Sequence, residues 1–168
     1  MTEDRCQNGG VLGLVVALVV VLIGGVLFVG ATSGWFDDPK IILDNEYKCS
    51  DEVCSKSFVD ITVGEYEDLI KTKKTFVVFV NQDGCVTAER LKGYALDYAL
   101  DKGITMLEMT FSDVKESSLY KSVKYYPSIV IVSKGKVVAW LKADSDDDAK
   151  VYNEYAEFQK WMNQYLQL

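Results

Sequence analysis

The sequence predicts an α/β domain, a sheet between helices, preceded by one transmembrane helix. Three observations predict it. Residues 76–80, Phe-Val-Val-Phe-Val, are an unbroken apolar run rich in β-branched and aromatic side chains. Such a run marks a strand covered on both faces in the middle of an α/β sheet. Around it, strand-like and helix-like periodicities alternate in the order β-α-β-α-β-α-β-β-α. Near the start, residues 11–31 carry no charge. As a helix they span about 31 Å, which matches the hydrocarbon core of a bilayer.

The chain has 168 residues, a net charge of -7 and no histidine. An acidic balance argues against nucleic-acid binding, which needs a basic footprint. Without histidine there is no histidine-based acid–base catalysis and no histidine metal site. Thiol chemistry stays open, with four cysteines in the chain.

The expected organisation is a short tail at 1–10, the membrane helix at 11–31, a linker at 32–56 and the globular domain at 57–168. A cleaved signal peptide is the alternative for the apolar stretch. Its apolar region would be shorter, and basic residues would precede it, whereas residues 1–10 hold one Arg and two acids. Trp35 and Phe36 suit the membrane interface. Gly13 and Ala17 have the small-xxx-small spacing of paired helices.

In the linker, Cys49 and Cys54 lie five residues apart on a polar stretch. A disulfide between them would close a small ring and restrict the unfolded chain by about 2 kcal/mol. Free thiols and half of a zinc site are the alternatives. Zinc takes about four ligands, and only Cys6 and Cys85 remain, so no metal and no cofactor is expected. A disulfide implies an oxidising compartment, which would place the domain outside the cytoplasm on a single-pass anchor.

Within the domain, residues 58–62 read as a short strand. Residues 63–72 read as a helix with Tyr66, Leu69 and Ile70 on one face. After the main strand, Asn81 to Gly84 is turn chemistry. Leu91, Tyr94, Ala95, Tyr98 and Ala99 then recur at helical spacing, and Gly103 suits the helix end. Residues 104–111 read as a second strand. Residues 113–124 read as a helix with Val114, Leu119, Tyr120 and Val123 inward, capped by Ser112 or Asp113. Residues 128–133 and 136–141 make a hairpin about Lys134-Gly135. Val151, Tyr155, Phe158, Met162 and Tyr165 form the stripe of a last helix. Asp144, Asp146 and Asp148 imitate the start of a calcium loop, but the required Gly and Glu are Ala149 and Tyr155, so the match fails. They read instead as acids at the positive end of the last helix.

Cys85 falls where the central helix begins. Unsatisfied N–H groups and the helix dipole favour an anion there, and the thiolate is the nucleophile of thiol chemistry. The alternative is a small buried apolar residue at a strand end. Asp83, two residues away, would oppose a thiolate, and Arg90 would partly offset Asp83.

The apolar strand leading into Gly84-Cys85-Val86-Thr87-Ala88, the Tyr126-Pro127-Ser128 step and the final hairpin, in this order, resemble the thioredoxin superfamily over residues 57–168. The resemblance implies a mixed central sheet flanked by helices, a cis Tyr126–Pro127 bond facing Cys85, and substrate binding at Tyr126 and Pro127. The chain departs from the family's Cys-x-x-Cys at Ala88, so no second thiol follows to break a mixed disulfide. Gly84 stands for the usual Trp, and Phe79 for a buried acid. Two functions follow as expectations. One is a membrane-tethered protein whose single Cys85 exchanges with protein thiols or disulfides, with Cys49 or Cys54 as conceivable resolving thiols. The other is a redox-inactive module that binds an extended peptide at the Tyr126–Pro127 groove.

Overall fold

Residues Phe76–Asn81 form the strand expected of the apolar run, and no side chain from Phe76 to Val80 is exposed at all. The structure, a computed structural model, describes residues 40–49 and 57–168. They lie in one compact unit, Lys40–Leu168. Residues 11–31, where a membrane helix is expected, fall outside the described residues. Among the described residues no helix is long and apolar enough to cross a membrane.

In chain order the elements are β1 (Phe58–Asp60), α1 (Val63–Lys71), β2 (Phe76–Asn81), α2 (Val86–Lys102), β3 (Met106–Thr110), α3 (Phe111–Glu116), β4 (Ser128–Ser133), β5 (Lys136–Trp140), α4 (Ala149–Asn153) and α5 (Tyr155–Tyr165). The five strands form one sheet in the order β1-β3-β2-β4-β5. β1, β3 and β2 run parallel; β4 and β5 are antiparallel to their neighbours. The sheet is therefore mixed, as expected.

Helices cover both faces. Phe76 meets the Tyr66 ring of α1 edge-on at 6.2 Å. Phe79, three residues on and so on the opposite face, lies under the Lys92 ammonium of α2. α2 in turn packs on α4 and α5, with the Tyr98 and Phe158 rings 6.0 Å apart. Leu91, Ala95, Tyr98 and Ala99 are buried as the helical spacing predicts, while Tyr94 is only half-buried.

Local chemistry sets the element ends. Thr62 and Glu65 form a reciprocal capping box at α1: the Glu65 amide donates to Thr62 Oγ1 at 3.3 Å, and the Thr62 amide to Glu65 Oε2 at 2.7 Å. Those bonds from Thr62 hold the Glu65 carboxyl below its usual pKa. Gly103 ends α2 in the left-handed region at φ 60. Lys134 and Gly135, both at positive φ, make the tight hairpin turn.

The structure corrects four readings. First, the described part of the expected linker, residues 40–49, packs onto the domain. Leu43 and Tyr47 are buried in the core. Ile41 is held to the C-terminus by Ile41 N donating to the Tyr165 carbonyl and Gln167 N donating to the Ile41 carbonyl. Apolar side chains with backbone partners available nearby have no reason to stay in solvent.

Second, the helix expected at 113–124 starts at Phe111 and breaks at Ser117. Its cap is Thr110, whose Oγ1 accepts from the Asp113 amide. Ser117 then diverts the backbone: its hydroxyl donates to the Val114 carbonyl and accepts from the Leu119 amide. The chain continues as a 3-10 turn over Ser118–Lys121, which leaves Tyr120 exposed rather than inward.

Third, the last helix is two, broken at the extended residue Glu154. The break is held from outside. Tyr94 donates to the Asn153 carbonyl at 2.9 Å, and Arg90 to its side chain at 2.6 Å. Fourth, β3 starts at Met106 rather than 104, because Ile104 instead bridges to Lys48.

Gly135 is confined by more than φ. A Cβ there would run into the Ile70 carbonyl oxygen and come within 3.1 Å of Lys73 Cα, whereas one at Gly84, also at positive φ, would meet nothing. Gly135→Ala is expected to destabilise the fold by about 2 kcal/mol or more and Gly84→Ala by only about 1 kcal/mol. Urea denaturation of both variants measures the difference, and equal effects would contradict the packing of the turn on α1.

Burial also pushes the Tyr98 hydroxyl up to about 12, aided by Asp101 and Tyr155, and raises Tyr66 as well. A phenol is neutral when protonated, so the fold favours the protonated form. In the unfolded chain it ionises near 10. This stability is fully present below about pH 10 and is lost as pH rises from there through the folded value. Phenolate absorbance should show a class of tyrosines, Tyr66 and Tyr98 among them, that titrates only with unfolding.

Candidate functional site

Where β2 ends, Asn81, Gln82 and Asp83 turn the chain, and Gly84 takes φ 71 to aim it into α2. Cys85 occupies the N-cap position in extended conformation, and its carbonyl accepts from the Glu89 amide at 3.1 Å. No side chain caps this end. Cys85 is a free thiol, partly exposed. One turn on, Ala88 is buried to 1% exposure, with its methyl group where a second sulfur would stand in a Cys-x-x-Cys helix.

The other half of the site comes from the chain just before β4. The Tyr126–Pro127 peptide is cis. Pro127 is buried, and its carbonyl accepts the Tyr152 hydroxyl of α4 at 2.8 Å. The Tyr126 hydroxyl donates to the Val123 carbonyl at 2.9 Å, and its ring packs edge-on against Phe111 with centroids 4.4 Å apart. Burial, then the charge of Tyr120, pushes Tyr126 up to about 12. Burial, then Asp148 and Asp144, raises Tyr152 further. Both phenols are therefore neutral donors at neutral pH. The backbone N–H and C=O of Tyr126 have no hydrogen-bond partner among the described residues.

Cys85, Tyr126 and Pro127 line one open groove of about 400 Å³. Residues 143–146, Tyr152 and Asn153 complete its walls. The three residues singled out in the sequence thus meet. The wall residues were not foreseen as part of a site. Asp144 and Asp146 read as helix-end acids; Asp146–Asp148 instead forms a 3-10 turn, and Asp148 accepts from the Lys142 amide at 2.7 Å. The only available signal for Tyr152 was a hydroxyl beside an apolar stripe.

The other expected residues are elsewhere. The Cys49 amide donates to the carbonyl of Gly103, the C-cap of α2. Cys85 caps the opposite end of this 17-residue helix, which is about 25 Å long. Cys49 is thus ruled out as a resolving thiol for Cys85. Cys49 is disulfide-bonded; Cys54, its expected partner, lies outside the described residues. Arg90 does not face Asp83; it reaches Asn153. Asp83 accepts instead from the Asn81 side chain at 3.2 Å.

Phe79 is fully buried, as its neighbours require. The buried acid is on the next strand, where Glu108 stands in register with Phe79 and pairs with Lys92 at 2.7 Å. Among the described residues no group of three or more His, Cys, Asp or Glu is placed to hold a metal ion.

No protein-family model matches the chain, and no curated protein does either. Solved structures do. Thioredoxin O2 from Arabidopsis thaliana in the oxidised state superposes with a TM-score of 0.52 at 11% identity, over 69% of this chain and 100% of that one. The reduced Schistosoma mansoni thioredoxin pre-protein gives 0.50 at 11% identity, over 66% of this chain and 100% of that one. A second Schistosoma mansoni thioredoxin structure gives 0.50 at 12% identity, over 66% and 96%. Identity at this level speaks for the fold and not for the chemistry. By its fold, a mixed five-stranded sheet between helices with a cysteine at the start of α2, this chain is thioredoxin-like.

Proposed function

We propose that this protein exchanges thiols and disulfides with other proteins through the single sulfur of Cys85, as a domain tethered to a membrane by residues 11–31. The observation that carries this reading is the groove in which a free, partly exposed Cys85 lies beside Tyr126 and Pro127. The Cys85 thiolate attacks a partner disulfide; the new sulfur–sulfur bond forms as the old one breaks, and the departing thiolate takes up a proton. Ala88 supplies no second sulfur, and Cys49 is a helix length away. The mixed disulfide therefore persists until an external thiol releases it.

A second reading draws on the unpartnered N–H and C=O of Tyr126. In that reading the groove binds an extended peptide through the backbone without redox chemistry. Cys49 paired with Cys54 would place the domain in an oxidising, extracytoplasmic compartment.

Trapping separates the two readings. In an acid-quenched extract, the native chain is expected to carry a reductant-sensitive adduct on Cys85 that Cys85→Ser lacks. Ala88→Cys should lower the adduct at least about tenfold by breaking it from within. A Cys85→Ser chain that keeps its partner and its biological role would favour the peptide-binding module. For the tether, the full chain should stay in the membrane pellet after alkaline carbonate extraction, and a chain lacking residues 1–39 should not. Recovery of both in the supernatant would remove the anchor.

A further inference from the structure

We propose that the groove selects positively charged partners: its substrate class is a cysteine-bearing polypeptide segment with Lys or Arg close to the reacting sulfur. This rests on the thiol-exchange reading and adds which partner that site favours. Asp144, Ser145 and Asp146 line the groove together with Cys85, and no Lys or Arg does. Neither Asp144 nor Asp146 has an ion-pair partner among the described residues. Three cations lie near: Arg90 donates to Asn153 of the lining, and Lys124 and Lys142 line a neighbouring cavity with Asp144, the Lys142 ammonium 5.9 Å from the Trp140 ring centre; none of them pairs with Asp144 or Asp146.

The Asp144 field contributes to holding Tyr152 protonated, and the Tyr152 hydroxyl is bonded to the Pro127 carbonyl. Charges of one sign around a concave, partly desolvated site concentrate ligands of the opposite sign and raise their encounter rate. Tyr126, whose backbone donor and acceptor have no partner among the described residues, lines the same groove. A passing chain can thus be held by its backbone while its cations meet the carboxylates.

The test uses three symmetrical disulfides of similar length on the full chain: cystamine (cationic), 2-hydroxyethyl disulfide (neutral) and dithiodipropionate (anionic). Adducts at Cys85 are followed by mass spectrometry of its peptide. With each reagent the thiolate displaces one sulfur, a new disulfide replaces the old one, and the released thiolate is protonated by water.

Relative to a small neutral thiol, cystamine is expected to outpace dithiodipropionate by roughly tenfold. The ratio should fall towards the reference in Asp144→Asn/Asp146→Asn, and in about 1 M salt, where screening acts within about 3 Å. A native ratio equal to the reference, or one unchanged in the double variant, would overturn the charge selection. If no disulfide reacts, not even the neutral one, the thiol-exchange reading is what fails. Cationic and anionic methanethiosulfonates, which modify any accessible thiol, then decide the selectivity by the same ratio. Cys85 inert to these as well would overturn both.

Discussion

The pairing of β2 with β4 is the constraint on which the rest depends. β2 is buried on both faces and bonded on both edges, so it can neither slide nor tilt. Its antiparallel register with β4 sets Val80 opposite Ser128. One strand therefore ends where the other begins. The residues just past that point, Gly84 and Cys85 on one side and Pro127 and Tyr126 on the other, are brought together by strand register and not by any contact of their own. A one-residue slip would turn every β2 side chain to the opposite face, and Phe76 and Phe79 would lose the α1 and α2 partners they now meet.

Around this junction, polar groups are anchored rather than loose. The Tyr152 hydroxyl takes the Pro127 carbonyl, Ser128 Oγ donates to the Leu141 carbonyl at 2.8 Å, and Tyr126 is pinned by its hydroxyl and its ring. A buried polar atom without a partner costs about 1–3 kcal/mol, and no buried side-chain polar atom among the described residues lacks one. The backbone groups of Tyr126, by contrast, have no partner among the described residues, and Tyr126 lines the groove. The same economy governs the acid beneath α2. Glu108 is nearly buried and is matched by Lys92, whose ammonium also lies 5.5 Å from the Phe58 ring centre. A buried charge is tolerable when it is paired in this way.

Much of the fold was legible in local patterns, and the places where it was not share a cause. The β2 run, the α2 stripe, Gly103 at a helix end and the Lys134-Gly135 turn each follow from the residues themselves. Ser117 and Glu154 were misread because both breaks depend on partners: a Glu67 carboxylate that accepts from the Ser118 amide at 2.6 Å, and the Tyr94 and Arg90 side chains at Asn153. Leu43 and Tyr47 looked like linker because ten residues without periodicity show no sign of the core waiting for them. In the site, Cys85 was found through its place at the start of a helix, and Tyr126 and Pro127 through a family pattern. The acidic wall was missed, since a run of Asp reads the same on any solvated surface.

By itself, the sequence determined the alternation of strands and helices, the doubly buried central strand, the cysteine at the start of α2 and the lack of a second cysteine at Ala88. These are properties of residue type and near-neighbour spacing, and short-range sterics and hydrogen bonding suffice to express them. Only the tertiary structure decided that Cys49 sits at the far end of α2 from Cys85, that Asp144 and Asp146 wall the groove, and that Tyr152 closes it through Pro127. Those facts join residues 25 to more than 60 positions apart in the chain. Such contacts arise from sheet register and helix packing, which no local pattern of side chains encodes.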